Sequence, residues 1–370
     1  MAELQDVFTS YWDEYAKSHP VTFLQDKTAG AIMSCRTALL GGHVESCEVC
    51  GHERISYNSC RNRHCPKCQA VARESWVQAR SSDLLDVPYF HVVFTIPECL
   101  NELFRSNEKA CYDALFRASA DTLLECAAEA RYLGAKIGFT SVLHTSGQTL
   151  SYHPHIHAVV CAGGLDKRGR LRQSPKKFFI PVKVLSRMFR GKLIEALKGL
   201  SLTIRGTDDP WRVADIIALS WEHEWVVYCK KTFKDAACVI EYLGRYTHRT
   251  AISNSRIIGF EGGKVTFKWR DYRDNNNMKT MALATDEFIR RFLMHVLPAG
   301  YMRIRHYGFL ANSGKRVRLE HIRCLCKMAP RKDARLSGYE IACKLVGHDI
   351  ARCPLCGGTL RARLLSRTLC

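Results

Sequence analysis

Two histidines separated by one bulky apolar residue, His155-Ile156-His157, are the residues of this chain best suited to chemistry. Side chains alternate between the two faces of a strand, so both imidazoles would project from one face while Ile156 packs behind them. The apolar run over residues 158 to 162 favours a buried strand. Two neutral imidazoles on one face can hold a divalent metal ion, although a half-buried strand without metal fits these two positions equally well.

A second pair of reactive residues, Tyr242 and Tyr246, lies in a segment whose pattern predicts a helix from about residue 233. Residues four apart share one helix face, so both phenols would point the same way. A tyrosine can act as a nucleophile and form a covalent intermediate. Arg245 and Arg249 suit a phosphate clamp, because guanidinium groups pair well with phosphate oxygens. Such a tyrosine pair is more often packing than chemistry, but beside a histidine strand in a basic chain it favours DNA-strand transesterification.

The sequence offers two candidates for a third ligand to the same ion. Gln148 precedes His155 by seven residues, and its amide oxygen is the first candidate if its segment pairs beside the histidine strand. His153 is the second candidate, and an ordinary loop amide at Gln148 fits almost as well. Oxygen and imidazole ligands together suit a hard divalent cation such as Mg²⁺ or Mn²⁺. Three protein ligands would leave coordination positions open for a scissile phosphate.

The composition indicates a large globular chain with a polyanionic partner. Its 370 residues are 46% hydrophobic, which is enough for roughly two or three domains. Lys and Arg total 55 against 36 Asp and Glu, and the net charge of +19 favours nucleic acid, or a membrane surface, over a merely soluble basic surface. No secretion signal or bilayer-spanning stretch is evident. The 18 cysteines are therefore expected to be reduced, in a cytoplasmic protein that associates with the nucleoid while acting.

Clustered cysteines near the amino terminus predict a structural zinc site. Two Cys-x-x-Cys pairs are separated by 14 residues, a spacing typical of a zinc ribbon or knuckle. The predicted ligands are Cys47, Cys50, Cys65 and Cys68. Four further residues are reserve ligands, and a second zinc ion stays open: Cys60, His43, His52 and His64. Basic residues between the ligands suit phosphate contact, although a purely structural site is the alternative: Arg61, Arg63 and Lys67.

The carboxy-terminal segment, residues 311 to 370, carries 13 Lys and Arg against four Asp and Glu. Cys353-Pro354-Leu355-Cys356 is typical of one half of a second zinc site. Two partners are open for it: Cys324 with Cys326, or Cys343 with His348. The alternative is a basic tail without metal that holds DNA by charge alone.

The order of helical and strand patterns indicates an α+β protein. Few stretches have the βαβ pattern of a parallel sheet, so an antiparallel sheet covered by helices on one side fits best. The histidine strand would lie at its centre, with the tyrosine helix packed over it. The principal helices are expected at residues 1 to 40, 70 to 85 and 110 to 132. The principal strands are expected at 89 to 96, 138 to 144 and 153 to 163, and a β-hairpin at 256 to 260 and 264 to 269.

Together these motifs resemble the two-tyrosine HUH rolling-circle transposases of the IS91 type. Residues 47 to 69 resemble the family's zinc-binding domain, and residues 144 to 157 resemble its HUH block. Residues 93 to 97 resemble its opening strand, 242 to 249 its tyrosine helix, and 300 to 309 its late basic motif. The motifs occur together and in family order, so the resemblance is specific.

The resemblance implies an enzyme that cleaves and rejoins single-stranded DNA at insertion-sequence ends through 5′-phosphotyrosine intermediates. Its partners would be element-end DNA and target DNA. The implied fold is an HUH endonuclease domain with a central antiparallel sheet over residues 88 to 310, a helical zinc-binding domain over 1 to 87 and a basic segment over 311 to 370. Mg²⁺ or Mn²⁺ would lie at the histidines and Zn²⁺ at the cysteines. Arg303 and Arg305, in the late basic motif, join the candidates for DNA binding.

Two other functions stay open at this point. A plasmid rolling-circle replication initiator or a conjugative relaxase would use the same chemistry. The tyrosines follow the histidines, which argues against a relaxase, and the zinc cluster argues against a plain initiator. A non-catalytic zinc-dependent DNA-binding protein would keep its function when both tyrosines are replaced by phenylalanine.

Overall fold

The computed structural model describes residues 2–174, 179–206, 209–231, 251–330 and 336–365, with the single residues Cys238 and Gly244. Short 3₁₀ turns in this part lie at Ala38–Leu40, Glu98–Leu100 and Asn254–Arg256. Its helices are α1 (Leu4–Ser18), α2 (Phe23–Met33), α3 (Pro66–Ser81), α4 (Asn101–Ser106), α5 (Glu108–Ala128), α6 (Val182–Lys198), α7 (Pro210–Leu219), α8 (Thr285–Leu293), α9 (Lys315–Leu325) and α10 (Gly338–Val346).

The strands of the described residues form three sheets, and every pairing within them is antiparallel. They are β1 (Gly42–Cys47), β2 (Glu53–Tyr57), β3 (Tyr89–Thr95), β4 (Lys136–Ser146), β5 (Tyr152–Leu165), β6 (Leu171–Gln173), β7 (Val227–Lys231), β8 (Ile257–Glu261), β9 (Lys264–Asp271), β10 (Asn277–Ala284), β11 (Ile304–Gly308) and β12 (Leu360–Leu365).

The largest sheet has the strand order β11-β4-β5-β3-β7, with β6 paired to the far end of β5. β5 is its central strand, and alternate residues of β5 serve two different cores. Ile156, Ala158 and Val160 join the core formed with α5 and α6. Val159 and Cys161 face the opposite way and pack in a second core that includes residues of α9. Because Trp76 of α3 packs against that second core, helices lie on both faces rather than on one as predicted.

Two smaller sheets connect distant parts of the chain. The sheet β12-β1-β2 joins a strand near residue 360 to a hairpin near residue 50. The sheet β10-β9-β8 shares one core with α1, α2 and α8, in which Phe8, Phe267 and Phe292 are fully buried. Hydrophobic cores therefore include residues from both sides of residue 87 and from both sides of residue 310. The domain boundaries expected there stay predictions.

The α+β class, the antiparallel sheet and the central position of the histidine strand are confirmed. Strands β10 and β12 have no strong signal in the sequence, because their side chains are mostly exposed and the apolar alternation of a half-buried strand is weak.

In the described part of the chain, none of the helices combines the length and the apolar character needed to cross a bilayer.

Candidate functional site

Strand β5 presents the two predicted histidines on one face of the central sheet. His155 and His157 lie opposite to Ile156, which is fully buried. Nε2 of His155 lies 3.0 Å from Nε2 of His157. Nδ1 of His155 lies 2.6 Å from the carbonyl oxygen of His153, so this nitrogen donates its proton there and Nε2 keeps a lone pair. The structure therefore has the alternation that the sequence predicts.

A third imidazole, His144, comes from the neighbouring strand β4, whose register sets it opposite His155. One nitrogen from each of His144, His155 and His157, here called the histidine cluster, lies within 4.8 Å of the others. Ligand nitrogens at right angles and about 2.1 Å from one ion lie about 3.0 Å apart, as the two Nε2 atoms of β5 do. Without an ion the two Nε2 atoms can share a hydrogen bond, and the same spacing suits two nitrogen ligands of one cation.

Gln148, the predicted third ligand, lies away from the histidine cluster. It is in the turn between β4 and β5, where its Nε2 donates to Oη of Tyr272 at 2.9 Å. Its Oε1 accepts from the backbone N–H of Arg270 at 3.5 Å. The second candidate, His153, contacts His155 through the carbonyl described above, and its ring centroid lies 5.2 Å from that of His155. The structure does not bring Gln148 to the cluster, because strand register, which no local motif encodes, decides which side chain stands opposite His155.

His91 on β3 forms a hydrogen bond with His157, a member of the histidine cluster. Its Nε2 lies 2.8 Å from Nδ1 of His157, and the two rings are parallel within 5°. Burial lowers the pKa of His91 to about 4, so His91 is neutral at pH 7 and its Nε2 can accept the Nδ1 proton of His157. This hydrogen bond fixes the ring of His157 and leaves its Nε2 as the ligand atom. Sequence reasoning missed His91, although its place on a predicted strand is a usable signal.

A small cavity of about 30 Å³ opens beside His144 and is lined also by His64, His295 and Arg303. Nη2 of Arg303 donates to Oε1 of Gln69 on α3 at 3.1 Å. Burial lowers the pKa of Arg303 to about 10, so the guanidinium stays charged at neutral pH. The cavity is thus lined by one charged guanidinium and by one imidazole of the histidine cluster, both suited to an anionic ligand.

Two histidines near this site make a testable prediction about pH. Burial lowers the pKa of both His295 and His306 to about 4. His295 is neutral in the fold, donating from Nε2 to the carbonyl of Leu150 and accepting at Nδ1 from Thr145. Below pH 6.5 these histidines bind protons in the unfolded chain but not in the folded one. The stability that the two neutral histidines contribute to the fold is therefore fully present above pH 6.5 and is lost as the pH falls towards 4. Each histidine should cost about 2 kcal/mol of stability between pH 7 and 5.

Urea unfolding at the two pH values tests this prediction. His295→Gln and His306→Gln should each reduce, by about 2 kcal/mol, the loss of unfolding free energy between pH 7 and pH 5, because glutamine does not titrate. An unchanged difference between pH 7 and pH 5 in both variants would contradict it.

The cysteines form two clusters, and their members are combined differently from the two sites considered from the sequence. Cys35, Cys60, Cys65 and Cys68, here called the inner cysteine cluster, place one sulfur each within 4.8 Å of the others. Sγ of Cys68 lies 3.5 Å from Sγ of Cys60 and 3.6 Å from that of Cys35. Two of the four predicted ligands and one reserve ligand are therefore here. Cys35 was missed, since it is a lone cysteine after α2 with no motif around it.

The other two predicted ligands belong with the carboxy-terminal pair. Sulfurs of the terminal cysteine cluster also lie within 4.8 Å of one another, and its members are Cys47, Cys50, Cys353 and Cys356. The expected partners of the last two were wrong, because pairing of β12 with β1 carries Cys353 and Cys356 to the amino-terminal knuckle. Cys324 is exposed at the end of α9, and Cys326 packs against an apolar core. Both clusters consist of free thiols suited to Zn²⁺.

Four predicted site residues lie outside the described part of the chain: Tyr242, Tyr246, Arg245 and Arg249. Gly244 is described and is buried. A Cβ atom built on Gly244 would overlap Cγ2 of Val77 on α3. Trp76, the neighbour of Val77, packs against the core on the histidine face of the central sheet. The backbone at Gly244 therefore approaches the helix that lies over that face.

The basic residues predicted to bind DNA differ in their surroundings. Arg61 is exposed. Nη1 of Arg63 donates to the carbonyl of Tyr301 at 2.6 Å, and Nζ of Lys67 lies 2.5 Å from a Glu3 carboxylate oxygen. Arg305 pairs with Asp113 and lies 4.2 Å from the ring of Phe116, as a cation–π contact. These contacts hold neighbouring elements together, and the DNA-binding role of these residues stays a prediction.

Comparison with known proteins gives the family. A model described as "Putative transposase" matches residues 138–317, and one described as "Transposase zinc-binding domain" matches residues 7–96. The chain is 30% identical to "Transposase for insertion sequence element IS801" of Pseudomonas savastanoi pv. phaseolicola, over 96% of this chain and 88% of that one. The chain belongs to the IS91-type transposases.

A further relative of this IS91-type transposase chain agrees with that assignment. It is 45% identical to "Putative transposase y4qJ" of Sinorhizobium fredii, over 96% of this chain and 92% of that one. A solved structure of the conjugative relaxase TrwC in complex with oriT DNA aligns with 42% of this chain and 70% of its own, at 14% identity and a TM-score of 0.25, too slight a likeness to carry an argument. The zinc-binding match contains the inner cysteine cluster entirely.

Proposed function

We propose that this transposase cleaves and rejoins single-stranded DNA at insertion-sequence ends in rolling-circle transposition. The attacking groups would be Tyr242 and Tyr246, and the products would be a 5′-phosphotyrosine and a free 3′-OH. The histidine cluster is the observation that carries the proposal. Its three imidazole nitrogens converge on one point at the face of the sheet that α3 covers.

The chemistry divides between the tyrosines and the groups around the histidine cluster. The phenolate oxygen of one tyrosine attacks phosphorus, the bond to the 3′ oxygen breaks, and that oxygen takes up a proton as it leaves. A divalent ion held by the histidine cluster would orient the phosphate and offset its developing charge. Arg303, which lines the cavity beside His144, would hold a phosphate oxygen. The energy of the broken phosphodiester is kept in the phosphotyrosine, which permits rejoining.

The chain path supports tyrosines near the histidine cluster. β7 is the neighbour of β3 in the central sheet and ends at Lys231, and Ala251 lines the cavity beside His144. Gly244, which is described between these two points of the chain, is buried against α3.

The contact between Gly244 and α3 can be tested by overpacking. Gly244→Ala should place a methyl group against Cγ2 of Val77 and cost about 1–3 kcal/mol, lowering the yield of DNA adduct several-fold. Val77→Ala in the same chain removes that methyl group and should restore most of the yield. Gly191→Ala on α6 is the matched control, because nothing lies within 4 Å of its Cβ position. Equal yields from Gly244→Ala and Gly191→Ala would contradict the contact.

The donor set also predicts a preference among metal ions. The three imidazoles of the histidine cluster would be the ligands in place of the oxygen-containing set expected from the sequence, and imidazole binds Mn²⁺ better than Mg²⁺. Mn²⁺ should therefore support cleavage at concentrations at least about tenfold lower than Mg²⁺. Titration of cleavage rate against each ion measures this, and the same half-saturating concentration for both would contradict it.

The deciding experiment looks for the covalent intermediate. The protein is incubated with single-stranded oligonucleotides that carry candidate element ends, with Mn²⁺ or Mg²⁺, and denatured products are separated by gel. We expect a protein–DNA adduct on single strands and none on the same sequence as a duplex. Proteolysis and mass spectrometry should then find the nucleotide on Tyr242 or Tyr246. Absence of an adduct on every end, or attachment to another residue, would overturn the proposal.

A further inference from the structure

We propose that the terminal cysteine cluster is a second zinc site, built half from the amino-terminal part of the chain and half from the carboxy-terminal part. Its ligands would be the thiolates of Cys47, Cys50, Cys353 and Cys356, and its ion would be Zn²⁺ in a tetrahedral Cys₄ arrangement. The match to the zinc-binding domain ends at residue 96, so it contains only two of these ligands. The proposal does not depend on the cleavage chemistry above.

The two halves have the same backbone conformation. Cys47 N–H donates to the carbonyl of His52 and Cys353 N–H to that of Gly358, both at 2.8 Å. Gly51 and Gly357, the residues that follow each Cys-x-x-Cys, donate back to the carbonyl of the first cysteine. Both glycines have positive φ, 73° and 74°, a conformation that favours glycine. The two turns therefore present their cysteine pairs in the same way, as paired zinc knuckles do.

The sulfur positions fit one ion between the two turns. Thiolates about 2.3 Å from a tetrahedral zinc ion lie about 3.8 Å from one another. Sγ of Cys47 is 3.4 Å from that of Cys356, and Sγ of Cys50 is 3.7 Å from that of Cys353. Backbone N–H groups of Val49 and Gly358 point at Cys47 and Cys356 sulfurs, each at 3.4 Å, which stabilises the thiolate form. Disulfide sulfurs would lie about 2.05 Å apart, so these pairs are not disulfides.

The pairing of β12 with β1 around the cluster is accompanied by little apolar burial. The core around the cluster contains only Cys47, Cys353 and Leu360 among the described residues, and Leu364 on β12 is 86% exposed. Besides the backbone bonds between the two strands, the polar links include an ion pair between Arg361 and Glu48, and a bond from Nη2 of Arg54 to the carbonyl of Ile350 at 2.6 Å. A small module with so little apolar burial is typical of structures that need a metal ion to fold.

The zinc content of full-length variants tests the proposal. Wild-type protein purified with reductant should hold about two zinc ions per chain, and Cys47→Ser and Cys353→Ser should each hold about one. Because both cysteines would serve the same ion, the double variant Cys47→Ser/Cys353→Ser should also hold about one. Cys65→Ser/Cys353→Ser should hold none, because it removes a ligand from each cluster. Cys324→Ser is the matched control and should keep both ions.

Three outcomes would overturn the proposal: one zinc ion in the wild type, two in Cys353→Ser, or none in Cys47→Ser/Cys353→Ser. Hydrogen exchange separates loss of the site from general unfolding. In Cys353→Ser the amides of β12 and β1 should exchange faster, while those of β3 and β5 keep wild-type protection. Unchanged exchange in β12 would also count against the proposal, because the ion would then not hold that strand.

Discussion

Replacing His144 by alanine is expected to lower the rate of single-strand cleavage at least about 100-fold. The side chain contributes one of three imidazole nitrogens in the histidine cluster, and its strand fixes where that nitrogen lies. With two imidazoles left, a divalent ion would bind more weakly and would hold the phosphate less well. Measuring cleavage across a range of Mn²⁺ concentrations should show a higher half-saturating concentration as well as a lower maximum rate.

Gln148→Ala is the matched control for His144→Ala. Gln148 is four residues away in the same turn region, but its amide contacts Tyr272 and the backbone of Arg270. Its loss should therefore change the rate by less than about threefold, in keeping with two exposed hydrogen bonds away from the histidine cluster. If Gln148→Ala is inactive and His144→Ala is active, Gln148 rather than His144 is the third ligand, and the histidine cluster is not the metal site.

Replacing Tyr242 and Tyr246 together by phenylalanine is expected to reduce adduct formation at least about 10⁴-fold. Phenylalanine keeps the ring and removes only the attacking oxygen, so the fold and the affinity for DNA should not change. Each single variant should retain one cleavage step and lose the paired cleavage and joining that a strand transfer requires. Single-turnover assays on an element end and on a joined product separate these steps.

DNA affinity is the control for the tyrosine variants. Binding of the double variant to a fluorescent single-stranded end, at fixed salt, should match that of the wild type within about twofold. A double variant that still forms the adduct would exclude both tyrosines as nucleophiles. If the wild type and the variants all bind the DNA equally well and none of them forms the adduct, the protein would be a non-catalytic DNA-binding protein.

The histidines and cysteines mark where sequence reasoning succeeds and where it stops. Two-residue periodicity was enough to set His155 and His157 on one face of a central strand, since that periodicity is local. His144 and His91 reach them through strand register, which depends on pairing across the sheet. The Cys-x-x-Cys pairs were recognised as half-sites for the same local reason. The pairing of β1 with β12 decides that the pair Cys47 and Cys50 lies beside Cys353 and Cys356. Spacing along the chain alone favours the nearer pair, Cys65 and Cys68.

The pairing of β1 with β12 has a consequence for synthesis of the protein on the ribosome. Cys50 and Cys353, which lie together in the fold, are 303 residues apart. While the intervening chain is being made, one edge of β1 has no partner strand and two thiols lack their counterparts. An open strand edge can pair with other chains. A chaperone, or weak binding of zinc by the two early thiols, would have to protect this edge until translation passes residue 365.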